Sequence, residues 1–202
     1  KPFDPVFHLG QQAEKITRSE DNIWTITTSS GNAVSARCIV IAAGAGSFVP
    51  RKLPVKDIDE YENKSIFYSI KNKNLFKGRK LTIVGGGDSA LDWTNELSKI
   101  AQVTLIHRRK EFRAAPESVS KMLELENQNK IKFVLGQVSS IKGSNGRITE
   151  IICSNDQKNE VVKTDYLLPF FGLKMELGPI SNWNLKISNN LIEVDTEKFE
   201  TS

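Results

Sequence analysis

The chain has 202 residues, of which 39% are hydrophobic and 26% charged, and its 28 basic and 24 acidic residues give a net charge of +4. This length allows one large domain or two small ones with a buried core. No apolar run approaches the roughly 20 residues that a membrane-spanning helix needs, so the composition indicates a globular, cytoplasmic protein with no membrane partner. The mild positive charge is compatible with an acidic partner or a phosphate ligand, and equally with a basic solvated surface.

The first 50 residues predict a β-meander. Strand-like stretches separated by the turn signals EDN and SSGN cover residues 13–19, 23–28 and 34–44. Cys38 and Cys153 lie in apolar strand-like stretches and form neither a CxxC pair nor a metal-ligand spacing, so both are predicted to be reduced core residues. We interpret the chain as an internal fragment for two reasons. The sequence begins at Lys1 as if within a domain, and no later segment follows the strand-like residues 191–202 to bury them.

A more complete α/β unit is predicted between Arg51 and about Phe170. Its expected helices and strands form a Rossmann-like βαβ core with a β-meander attached. In chain order they are strand 81–84, helix 88–101, strand 103–107, helix 116–129, strand 131–136, a hairpin turning at 143–146, and strand 165–171.

Glycines join the first strand of this unit to its first helix. Gly85, Gly87 and Ala90 match the pattern G-x-G-x-x-A, in which the glycines allow a tight turn and a close backbone approach to a pyrophosphate. Asp88 and Ser89 suit the helix start, where unpaired N–H groups and the helix dipole favour phosphate. Taken alone, the pattern is equally compatible with a purely structural turn.

The end of the second strand carries basic side chains instead of an acid. His107, Arg108 and Arg109 stand where an NAD site has an Asp or Glu for the ribose hydroxyls, and Arg113 follows. Guanidinium groups match phosphate oxygens, so this cluster favours the 2′-phosphate of NADP. A solvated charge run or a nucleic-acid patch is the alternative, but neither requires the cluster to lie at this distance from a glycine turn, and no nucleic-acid partner is expected.

The segments VGGGDSALDW, LIHRRKEFRA and LGPISNW together resemble the ferredoxin-NADP reductases of the thioredoxin-reductase-like type, a group of pyridine nucleotide-disulfide oxidoreductase-like flavoproteins. AGAGSFVPRKLP and DYLLPFFG are similar to that family's crossings between its two domains. The resemblance implies an NADP-binding domain at 51–170 inserted into a split FAD-binding domain, with pieces at 1–50 and 171–202.

The resemblance also implies FAD and NADP as cofactors of the full-length protein. It places Phe48 near the flavin and Ala13 near the adenine of FAD. Gly44 and Gly172 lie at the two crossings, where a close backbone approach, a hinge and plain turn geometry are equally compatible with glycine. Asp88 lies beside the phosphate turn and is also a candidate helix cap.

The chain lacks the thiol pair that thioredoxin reductases carry, because Tyr68 and Lys71 stand where the two cysteines would fall. Dithiol exchange needs two adjacent thiols, so a one-electron partner, ferredoxin or flavodoxin, is expected instead. No catalytic side chain and no metal site are predicted, since the cofactors carry the chemistry.

Full-length relatives imply a homodimer, and the fragment alone is expected to be inactive. The alternative is a nucleotide-binding or regulatory module without flavin.

Overall fold

A computed structural model of the chain describes residues 3–44, 46–155 and 158–202. These residues form two compact units. The second unit is continuous and consists of Pro50–Leu173. The first unit combines the described residues up to Val49 with those from Lys174 onward.

The first unit begins with a three-stranded antiparallel sheet. Its strands are β1 (Ala13–Arg18), β2 (Trp24–Thr28) and β3 (Ala33–Ala36), in the order β1-β2-β3, and β4 (Ser47–Pro50) follows. The turn between β2 and β3 contains Gly31 at φ 80°, a left-handed conformation that glycine adopts without strain. The guanidinium of Arg18 lies 4.9 Å from the ring centroid of Trp24, which stabilises the β1–β2 pair by a cation–π contact. The first two predicted strands are confirmed.

The third predicted strand, 34–44, is much shorter than expected. It ends at Ala36, and residues 37–44 belong to no strand or bridge within the described part of the chain. Without a neighbouring strand to pair its backbone, an apolar segment has no reason to stay in a sheet, and Val40 is 84% exposed. The prediction that Cys38 is a core residue is therefore wrong, because Cys38 is exposed.

The second unit is a parallel sheet of four strands covered by two helices on one face and a meander on the other. Its helices and strands are β5 (Lys80–Val84), α1 (Asp88–Leu97), β6 (Gln102–His107), α2 (Pro116–Asn127), β7 (Ile131–Leu135), β8 (Gln137–Ser144), β9 (Arg147–Ser154), β10 (Asn159–Lys163) and β11 (Tyr166–Pro169). The strand order of the parallel sheet is β11-β5-β6-β7, and that of the meander is β10-β9-β8. The predicted α/β fold, with a βαβ core and an attached meander, is confirmed.

Both faces of the parallel sheet are buried, which explains the apolar strands. Leu81 and Ile83 of β5 pack with Leu91 of α1 in one cluster. Val84 of the same strand packs with Ile151 of β9 in the other cluster. Successive residues of one strand therefore pack into different layers of the unit.

Two short 3-10 segments, Ile58–Glu60 and Lys73–Phe76, precede the sheet. Both α-helices end earlier than predicted. α1 stops at Leu97, after which the chain turns toward β6, and α2 stops at Asn127, before Asn129 takes up the left-handed φ of 56°.

The predicted hairpin is confirmed, because Asn145 and Gly146 join β8 to β9 with φ values of 53° and 75°. No helix in residues 3–44, 46–155 and 158–202 is long and apolar enough to cross a bilayer.

The chain then returns to the first unit. β12 (Leu173–Glu176) pairs with β4, a 3-10 helix spans Gly178–Asn182, and β13 (Ile187–Ser188) and β14 (Leu191–Ile192) form a small hairpin. The indole Nε1 of Trp183 donates to the carbonyl oxygen of Glu14 at 3.1 Å and fastens this segment to β1. The predicted strand 191–202 is reduced to β14 and a bridge between Val194 and Thr201.

The two cysteines should differ sharply in reactivity. Cys38 is exposed, whereas Cys153 is 2% exposed and burial raises the pKa of its thiol to about 11. We expect a thiol reagent at pH 8 to modify Cys38 rapidly and Cys153 only after unfolding, because the thiolate is the reacting form. Cys38→Ser should abolish the fast reaction and Cys153→Ser should preserve it. Rapid modification of the Cys38→Ser variant would contradict the burial of Cys153.

Candidate functional site

The turn Gly85–Gly87, called here the glycine loop, lies between β5 and α1 at the carboxyl end of the parallel strands. Ligands of open α/β sheets bind at this edge. A cavity of about 720 Å³ opens here, within the size range of small-molecule sites. Its lining residues all belong to the second unit and come from the segments 51–54, 84–87, 106–109, 111–113, 136–138 and 170–172.

Gly85 is required by its neighbours in the fold. A Cβ atom at this position would lie 2.6 Å from the carbonyl oxygen of Phe170 and 2.9 Å from the Cβ of Ala90. Its φ of 155° is a further obstacle to a side chain. Gly85 and the small Ala90 therefore allow α1 to start immediately beside β11.

Gly87 has the opposite environment. It is the residue that precedes α1, with ordinary extended angles of φ −101° and ψ −178°, and no side chain caps the helix there. A Cβ atom at Gly87 would meet no atom within 4 Å. Neither strain nor packing in the described chain demands glycine here, so the open space before the helix N-terminus suits a group that approaches the backbone from outside.

The basic loop, defined here as residues 107–113, begins at the last residue of β6 and lies beside the glycine loop. Arg108, Arg109 and Arg113 are exposed and line the cavity, and no acidic side chain in the described residues forms an ion pair with them. Lys52 also lines the cavity, but Asp59 and Glu62 hold its ammonium group at 2.6 and 2.9 Å. The three guanidinium groups thus leave a positive charge that an anion can neutralise.

His107 differs from the arginines because its ring is partly buried. Burial lowers the pKa of His107, and the charges of Arg108 and Arg109 lower it further, against the opposing effect of a hydrogen bond to the Glu111 carbonyl. The ring stacks on Phe112, with centroids 5.2 Å apart and planes inclined by 27°. These effects favour the neutral imidazole, which packs against Phe112 as an aromatic ring.

Asp88 does not cap its own helix. Its Oδ1 accepts a hydrogen bond from the backbone N–H of Ala115 at 2.7 Å, at the start of α2. The carboxylate thus ties the beginning of α1 to the beginning of α2. Ser89, the next residue, is exposed at the helix start.

The remaining predicted site residues belong to the first unit. Ala13 opens β1, Gly44 adopts φ 57°, and Phe48 in β4 is 58% exposed. They are not among the residues that line the cavity of the second unit. Their proposed roles toward FAD remain predictions.

The structure adds residues that the motif did not identify. Gly86 sits between the two motif glycines, and Phe170, Phe171 and Gly172 approach the cavity from the end of β11. The middle glycine of the run GGG was the visible signal for Gly86, but its neighbour, the His107 ring, lies 21 residues away in sequence. Among the described residues, no group of three His, Cys, Asp or Glu side chains could hold a metal ion.

Residues 4–202 match the family model of the pyridine nucleotide-disulphide oxidoreductases. The chain belongs to this family, as its parallel sheet, glycine loop and basic loop indicate. Among curated relatives, the ferredoxin--NADP reductase of Parvibaculum lavamentivorans is 48% identical over the whole chain, and that of Wolbachia pipientis is 45% identical. The chain spans 59% and 61% of the lengths of these two relatives.

Solved structures with the same fold are more distant in sequence. A thioredoxin reductase from T. acidophilum superimposes with a TM-score of 0.74 at 22% identity, over 96% of this chain and 62% of that one. A bacillithiol disulfide reductase from Staphylococcus aureus gives a TM-score of 0.75 at 21% identity, over 95% and 58%. These similarities establish the fold alone.

The two motif glycines should respond differently to the same substitution. Gly85→Ala brings a methyl group against the Phe170 carbonyl, so we expect a loss of about 2 to 5 kcal/mol in unfolding free energy from overpacking and backbone strain. Gly87→Ala enters open space and should cost about 1 kcal/mol, the usual effect of alanine at a helix start. Thermal unfolding of both variants measures the contrast, and equal melting temperatures would contradict it.

Proposed function

We propose that the second unit binds NADP in the 720 Å³ cavity, with the pyrophosphate at the glycine loop and the 2′-phosphate at the basic loop. The observation that carries the proposal is the environment of Gly87. No atom crowds this glycine directly before a helix N-terminus, and the three arginines beside it form no ion pair with an acidic side chain in the described residues. An acid for the ribose hydroxyls of NAD is absent from the end of β6, which ends in His107.

Two groups of residues in this unit fit the two phosphate positions of this nucleotide. The N–H groups at the start of α1, which have no partner within an α-helix, would hold the pyrophosphate in the open space at Gly87. Arg108 and Arg109 would bind the 2′-phosphate by charge-assisted hydrogen bonds. When bound, the reduced nucleotide supplies a hydride, and the side chains of this unit bind and orient it.

The proposal for the whole protein is electron transfer between NADPH and ferredoxin or flavodoxin through FAD, in a cytoplasmic homodimer. The support is that relatives 45–48% identical to this chain are named ferredoxin--NADP reductase. The described residues of the first unit contain no α-helix, so they do not supply a helix N-terminus for the FAD pyrophosphate. The free state of Cys38 and Cys153 is consistent with a reducing compartment.

Coenzyme preference tests the role of the basic loop. Replacing Arg108 and Arg109 together by alanine should weaken NADP binding by about 10- to 100-fold for each lost charge-assisted contact, and NAD binding by little. Calorimetric titration of both nucleotides at low salt measures the two dissociation constants. Lys110→Ala is the matched control, because it removes a positive charge from the same loop at an exposed residue that does not line the cavity. A wild-type chain with equal affinities for NADP and NAD, or an arginine double variant that keeps its preference, would refute the assignment.

Gly87→Val tests the role of the glycine loop. The branched side chain would occupy the space where the pyrophosphate is proposed to lie, so NADP binding should fall by at least about 100-fold through the loss of several contacts to backbone N–H groups. The fold should lose only about 1 kcal/mol, as for an unfavourable helix-start residue. Thermal unfolding and NADP titration are made on the same variant. Retained affinity, or a loss that merely follows a collapsed melting temperature, would make the glycine a packing residue.

A further inference from the structure

Gly86 lies between the two glycines of the G-x-G-x-x-A pattern, and the pattern itself does not require glycine at this position. Its φ lies outside the left-handed region, so the backbone does not require glycine. A Cβ atom at this position would lie 2.3 Å from both Cε1 and Nε2 of His107 and 2.7 Å from Cδ2. The imidazole ring of His107 therefore occupies the space where a side chain at position 86 would stand.

The His107 ring is fixed on its other sides. Its Nε2 lies 3.2 Å from the carbonyl oxygen of Glu111, and because a carbonyl can only accept, Nε2 carries the proton. Phe112 stacks on the ring and in turn contacts Phe133 of β7, with centroids 5.6 Å apart. The ring is thus held between the glycine loop and the aromatic side chains behind it.

The basic loop meets the glycine loop at a second point beyond the arginine pair. The N–H of Arg113 donates to the carbonyl oxygen of Gly86 at 2.7 Å. Arg108 and Arg109 lie between these two points of contact and are themselves exposed. The position of both guanidinium groups relative to the helix N-terminus therefore depends on how His107 and Arg113 rest on Gly86.

We propose that His107 is a positioning residue, whose ring packs on Gly86 and sets the distance between the pyrophosphate and 2′-phosphate subsites. The inference rests on the proposed NADP site and deepens it. His107 then contributes shape rather than charge. Its donor Nε2 is already engaged, and burial and the arginines lower its pKa, so it is not an additional phosphate ligand at pH 7.

A double-mutant cycle on the nucleotide-free chain tests the packing by itself. Gly86→Ala should lower the melting temperature by about 4 to 10 °C, because its methyl group overlaps the ring. In the His107→Ala background the same change should have a much smaller effect, since the ring is gone. Equal effects in both backgrounds would refute the contact, whatever the nucleotide affinity of the protein.

Titration with NADP and NAD then separates positioning from direct binding. We expect His107→Ala to lower the preference for NADP over NAD by at least about 10-fold, since displaced arginines lose their alignment. His107→Phe keeps a ring in place without a phosphate donor, and should keep the preference within about threefold. His8→Ala, at the other histidine, is exposed and lies in the first unit, so it is the control that should leave the preference unchanged.

The outcomes distinguish this inference from the proposed function. A wild-type chain without NADP preference would overturn both. A preference that survives His107→Ala would overturn the positioning role alone. A His107→Phe variant as impaired as His107→Ala would make the histidine a direct phosphate ligand, and parallel losses of NADP and NAD affinity would show that the ring supports the glycine loop without aligning the arginines.

Discussion

The candidate site depends on one steric constraint, which is that the turn from β5 to α1 passes its neighbours too closely to carry a side chain at two consecutive positions. Gly85 lies against the Phe170 carbonyl at the end of β11, and Gly86 lies against His107 at the end of β6. Hydrogen bonds hold the turn on the same two sides, from Phe170 N–H to the Val84 carbonyl at 2.7 Å and from Gly85 N–H to the Ile106 carbonyl at 3.1 Å. The turn therefore packs between the ends of β11 and β6, the two strands that flank β5. Because α1 starts directly after this turn, the turn fixes where the helix begins.

This close packing determines the electrostatics of the site. The N-terminus of α1 and the arginines of the basic loop are two positive features, and the turn brings them to one cavity. The one carboxylate at the helix start, Asp88, accepts from the Ala115 N–H and so binds the two helix starts together. Arg108 and Arg109 form no ion pair in the part of the chain that the structure describes, so a ligand with phosphate groups at two separate points would match both features at once.

Local sequence patterns predicted the parts of the structure that local forces determine. The spacing of apolar residues along the strands and helices predicted the βαβ core. The spacing between the glycines and the arginines indicated the candidate site. The patterns failed where the outcome depends on residues distant in sequence. Residues 37–44 were predicted to form a strand, but they have no partner strand in the described chain. Asp88 was a candidate cap for its own helix, but it accepts a hydrogen bond from Ala115. No role was predicted for Gly86, because the ring that it contacts, His107, lies at the end of the next strand.

The fold by itself does not decide which electron acceptor a member of this family uses. A dithiol relay needs two adjacent thiols, but the 202 residues contain only Cys38 and Cys153, which lie in different units. Cys153 is buried with its pKa raised to about 11, so it is a poor nucleophile at neutral pH. Tyr68, which stands where the resemblance would place a cysteine, donates its hydroxyl to Glu62 at 2.7 Å in a network with Lys52. A phenol and an ammonium paired to a carboxylate stabilise this segment and cannot form a disulfide, so this segment lacks the thiol pair that dithiol exchange requires.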